Sequence, residues 1–102
     1  MNDLPYLPEN VGKRILEVRL AHGMSQSEFS ARAGISASAL ANWEQGRSRP
    51  SLGSAQCMAD AFELTLDFIF LGRTETLRHS IVLHLKSSSN MITTSSKQTS
   101  NL

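Results

Sequence analysis

Apolar positions along the chain recur with helical spacing in successive stretches, each closed by a glycine, a proline or a capping residue. Val11, Ile15 and Val18 fall at i, i+4 and i+7, with Leu16 partly covered, which predicts an amphipathic helix reaching about His22 and stopped by Gly23. Pro8 and the acidic Glu9 suit its first turn. Ser25 then reads as an N-cap, with Glu28 completing a capping box, and Phe29 and Ala33 turn inward one helical turn apart. Gly34 stands where a chain leaving a helix needs a left-handed residue, Ile35 follows as an apolar plug, and Ser36 caps the next helix. Over Ala37 to Gln45, Leu40 and Trp43 point one way and Ala37, Ser38, Ala41 and Asn42 the other, until Gly46 ends the helix. Ser51 caps a fourth helix with apolar positions Leu52, Ala55, Met58, Ala59 and Phe62. Thr65 caps a short fifth helix, LDFIFL, closed by Gly72. The pattern predicts an all-α, five-helix domain over residues 9–72, with one modest core.

The flanks carry a different signal. Residues 1–8 hold two prolines and little periodicity, so a flexible or extended N-terminal arm is expected. Residues 73–86 read as a helix that stacks Leu77, Ile81 and Leu85, or as a strand in which these alternate with polar neighbours; the helix is favoured. Phe68 or Phe70 is expected to be surplus to one monomer's core. With Leu77, Ile81 and Leu85 these phenylalanines make up the candidate dimer interface. Residues 87–102 are rich in Ser, Thr and Asn without an apolar stripe, and a disordered polar tail is expected.

Two short helices around a tight glycine turn describe a helix-turn-helix, whose second helix enters the major groove of DNA. Residues Ser25 to Pro50, with S-Q-x-E-F-x-x-x-A-G-I-S followed by L-x-x-W-E-x-G-x-x-x-P, resemble the phage-repressor (Cro-type, xenobiotic-response-element) helix-turn-helix family. The resemblance implies a lambda-repressor-like fold and a sequence-specific transcriptional regulator, a repressor that binds a pseudo-palindromic operator in double-stranded DNA as a homodimer. It also implies a bacterial or phage source and a cytoplasmic location. Two residues depart from the family pattern: Ser30 replaces the usual alanine, and Glu63 stands where many members carry glycine after the fourth helix.

A recognition helix offers its N-terminal residues and next turn to base edges, here Ser36, Ala37, Ser38, Ala41 and Asn42. Asn42 is the best reader, because its amide can bond adenine N6 and N7 together. Ser38 can donate to or accept from several bases, and Ala37 or Ala41 can touch a thymine methyl. This set contains no arginine, so direct specificity is expected to be modest, with DNA shape contributing. The resemblance gives Gln26 a backbone contact and a bracing role. Arg47 and Arg49 are expected on phosphates, with an Arg49–Glu44 pair as the rival for Arg49; Glu44 is expected to orient the loop after Gly46. Trp43 reads as core and not as a stacking residue.

Charge complicates this picture. Over residues 9–72 the six bases Lys13, Arg14, Arg19, Arg32, Arg47 and Arg49 meet seven acids, so the domain is net −1 without a general basic field. That balance keeps open an alternative, a protein-interaction module on the same fold, such as an antitoxin or antiactivator. Cys57 is the single cysteine, expected as a small buried core residue in a reducing compartment. No apolar run approaches a membrane span, and the N-terminal residues lack the apolar core of a secretion signal. His79 and His84 are five apart, off the register of a helical metal site. No catalytic motif is present, so neither enzyme activity nor a cofactor is expected.

Overall fold

A computed structural model describes residues 4–75 and 77. Five helices follow one another: α1 (Pro8–Ala21), α2 (Gln26–Ala33), α3 (Ala37–Glu44), α4 (Leu52–Phe62) and α5 (Leu66–Leu71), with no strand among the described residues. Each start has a local cause. Pro8 sits in the first turn of α1, where its missing N–H costs nothing, and Ser25, Ser36, Ser51 and Thr65 cap the other four with side-chain oxygens. The capping box of Ser25 and Glu28 forms in both directions, at 2.8 and 3.0 Å.

The core gathers the inward stripe of every helix: Val11, Ile15 and Val18, then Phe29 and Ala33, Leu40 and Trp43, Ala55, Met58, Ala59 and Phe62, and Phe68 with Ile69. Phe29 and Phe62 stack in parallel with ring centroids 4.3 Å apart, joining α2 to α4. Ser30, in place of the usual alanine, fits beside them because its hydroxyl donates to the Ser27 carbonyl at 3.2 Å.

Several expectations change. Cys57 is exposed: the buried stripe of α4 runs through Ala55, Met58, Ala59 and Phe62, and Cys57 lies between those positions on the outer side. Leu52, counted as apolar lining, is 66% exposed at the first position of α4. Within the arm, expected to be flexible or extended, the described residues 4–7 form a turn, where Leu7 N–H donates to the Leu4 carbonyl at 3.3 Å. Phe68 is not surplus; it is buried in the monomer's own core, as is Leu77, while Phe70 is only partly covered. Residues 73–75 are not helical; Ile81 and Leu85, the helix-or-strand question beyond that point, and the polar tail lie outside the described residues.

Candidate nucleic-acid interface

The corner between α2 and α3 sets the aim of the recognition helix. Gly34 takes φ 75°, so the Ser30 carbonyl accepts from both Gly34 N–H and Ile35 N–H, at 2.9 and 3.0 Å. Ile35 then packs on the core, and the Ser36 hydroxyl accepts from Ala39 N–H at 3.1 Å. Helix α3 buries Leu40 and Trp43 and leaves Ser36, Ala37, Ser38 and Asn42 exposed, with Ala41 half-buried. Of the expected base-reading set, Ala37, Ser38, Ala41 and Asn42 lie on the side of α3 away from Leu40 and Trp43, and Ser36 is the exposed N-cap ahead of them. Trp43 is 6% exposed and belongs to the core.

Three polar side chains lock α3 against its neighbours. Arg19 of α1 donates from Nε and Nη2 to the two carboxylate oxygens of Glu44, at 2.8 and 2.9 Å. The Glu44 side chain is 5% exposed, so this forked pair is largely withdrawn from water. Its hydrogen bond raises the Arg19 pKa above its ordinary value, and the guanidinium stays charged. Gln26 Nε2, at the start of α2, donates to Glu44 Oε1 at 2.9 Å, and Arg19 Nη1 reaches the Met24 carbonyl at 2.9 Å. Glu44 thus ties α1, α2 and α3 together, where the sequence suggested that it orients the loop after Gly46. Gln26 braces α3 through Glu44.

Gly12 is a further residue that positions α3, and it does not stand out in the sequence. It is buried in α1, and a Cβ there would lie 1.8 Å from the Trp43 carbonyl oxygen, so only glycine lets the end of α3 sit this close to α1. A glycine interrupting an otherwise apolar helical stripe was the available signal.

Beyond α3, Gly46 at φ 77° turns the chain, with Arg47 N–H donating to the Asn42 carbonyl at 3.0 Å. The loop lies directly on the start of α1, since a Cβ on Gly46 would meet Glu9 Cα at 3.1 Å. Arg47 and Arg49 are both exposed. Arg47 Nη1 donates to Asn42 Oδ1 at 3.1 Å, which fixes that amide and leaves its NH2 group facing away from the arginine. Arg49 does not pair with Glu44, whose oxygens are taken by Arg19 and Gln26; its Nη1 donates to the Tyr6 carbonyl at 3.1 Å. Arg14 and Arg32 are used internally. Arg14 Nε reaches the Ile69 carbonyl at 3.1 Å, and burial lowers its pKa against the opposing pull of Glu17. Arg32 lies over the Phe62 ring at 5.2 Å.

Among the described residues, no helix is long and apolar enough to cross a membrane, and no cluster of His, Cys, Asp or Glu has the makings of a metal site. Over 63 residues the chain is 35% identical to an uncharacterized HTH-type transcriptional regulator, y4dL, of Sinorhizobium fredii. That match covers 62% of this chain and 32% of the relative, so the chain corresponds to a minor part of the longer protein. No solved structure gives a significant match. Residues 15–69 match the family model described as helix-turn-helix, a span holding both helices of the motif, the Gly34 corner and the Arg19–Glu44 lock. With more than half of its residues inside that match, the chain belongs to the Cro-type helix-turn-helix family.

Proposed function

We propose that this protein is a sequence-specific DNA-binding transcriptional regulator, acting as a repressor by occupying its operator. The observation that carries the reading is the outward face of α3: Ala37, Ser38 and Asn42 exposed together on a helix whose inner face is locked by Trp43, Gly12 and Glu44. Helix α3 enters the major groove, Asn42 reads an adenine through its amide, and Ser36, Ala37, Ser38 and Ala41 make the smaller base contacts. Gln26, Arg47 and Arg49 take phosphates. So few phosphate donors give weak binding per monomer, and a homodimer on a pseudo-palindromic site doubles them, with α3 helices about 34 Å apart. Phe70, Ile81 and Leu85 are the remaining candidates for that interface.

Near-neutral charge favours one second reading, a module that binds a protein partner through the same fold. Selection from a randomised duplex pool, followed by anisotropy titration, separates the two. Enrichment of a palindromic motif is expected. Asn42→Ala should relax one base position, and Arg47→Ala should weaken binding to all sequences and reduce the salt slope by about one. If no sequence is enriched and nothing binds even at low salt, the regulator reading fails.

A further inference from the structure

Three consecutive backbone carbonyls ahead of α1 each accept a side-chain donor. The Leu4 carbonyl takes Asn10 Nδ2 at 2.7 Å, the Pro5 carbonyl takes Arg14 Nη2, and the Tyr6 carbonyl takes Arg49 Nη1 at 3.1 Å. Two of these donors come from α1 and the third from the loop that follows α3. The same Arg14 guanidinium also holds the Ile69 carbonyl in α5. An N-terminal segment with no core residue of its own is thereby fastened on both sides, to the bundle and to the loop carrying Arg49.

We propose that the Leu4–Leu7 turn is a working part of the DNA interface: it positions Arg49 for a phosphate, and Asn10 and Arg14 influence DNA affinity through it. The inference rests on the regulator reading above. A guanidinium has five N–H donors, so a single bond to the Tyr6 carbonyl leaves ample capacity for a phosphate. A long exposed arginine otherwise loses rotamer freedom when it docks, and tethering it beforehand removes part of that cost. Arg14 cannot serve as a phosphate ligand in the same way, because it is half-buried and committed to two carbonyls. It is a positioning residue.

The test is a double-mutant cycle in the full chain, read by anisotropy against a fluorescein-labelled random-sequence duplex, which isolates the phosphate contribution. Arg49→Ala should weaken binding about fivefold and reduce the salt slope by about one. Arg14→Met, which keeps the aliphatic stem, should weaken it about threefold, and Asn10→Ala about twofold. In the Arg49→Ala background both of these losses should vanish, because the turn then has nothing to position. Urea unfolding of each variant fixes conditions in which it is folded, and Asn10→Ala carries the test if Arg14→Met is not. Equal losses in both backgrounds, or unchanged affinity in both single variants, overturn the inference and leave the regulator reading intact. If wild type, Arg47→Ala and Arg49→Ala all fail to bind at low salt, both fall together.

Discussion

Gly34 and Glu63 hold the same left-handed conformation, φ 75° and φ 58°, at the ends of α2 and α4. The resemblance extends along three residues. Gly34-Ile35-Ser36 and Glu63-Leu64-Thr65 each consist of a left-handed residue, an apolar plug resting on the core, and an N-cap for the next helix. Ile35 N–H reaches back to the Ser30 carbonyl at 3.0 Å, and Leu64 N–H to the Ala59 carbonyl at 2.9 Å. The chain thus uses one corner design twice. It differs in residue type, since glycine adopts that φ without strain whereas Glu63 pays about 1 kcal/mol for it. It also differs in support. The corner ahead of α3 is reinforced by the Glu44 lock, whereas α5 combines the apolar contacts of Leu64, Phe68 and Ile69 with a bond from Arg14 Nε to the Ile69 carbonyl. The orientation of α3 is thus fixed by a withdrawn, forked ion pair, which is directional, while α5 rests mainly on packing, which is not.

Removing the lock should have the largest effect. Glu44→Ala leaves Arg19, largely withdrawn from water, without its partner and should cost about 3 kcal/mol in urea unfolding. It should also reduce DNA affinity by more than that loss of folded protein explains, because α3 loses its aim. Next comes the pair of caps. Thr65→Ala should cost about 1.5 kcal/mol and Ser36→Ala about 1 kcal/mol, since the amide served by Thr65 is part-buried and the one served by Ser36 is exposed. Equal costs would mean that burial of the capped amide is immaterial. Gly34→Ala should then destabilise by about 1 kcal/mol through φ alone, as nothing lies within 4 Å of the added methyl. The smallest change is a gain: Glu63→Gly should stabilise by about 0.5 kcal/mol, the relief of strain being partly offset by glycine's greater unfolded entropy. A loss on thermal unfolding would show that Glu63 contributes something its φ does not reveal.

Much of this design is legible in the sequence because it is local. The caps at Ser25, Ser36, Ser51 and Thr65, the Gly34 turn and the inward spacing of Leu40 and Trp43 depend on neighbours within a few residues. Cys57 and Leu52 are not legible for the converse reason: an apolar residue in a short helix is assigned a side only by its neighbours in space. Glu63 departs from the family pattern, and the strained φ there is the consequence.

By itself the sequence determined which segments become helices, where each begins and ends, and which face of α3 is apolar, since capping and 3.6-residue periodicity operate within one or two turns. Tertiary structure alone decided that Glu44 answers Arg19 across 25 residues, that Gly12 admits the Trp43 carbonyl, and that Arg49 reaches back 43 residues to the Tyr6 carbonyl. A charged or polar side chain has several partners within reach of its composition and spacing. Which one it takes is settled only when packing of the apolar stripes brings distant backbone and side chains to hydrogen-bonding distance.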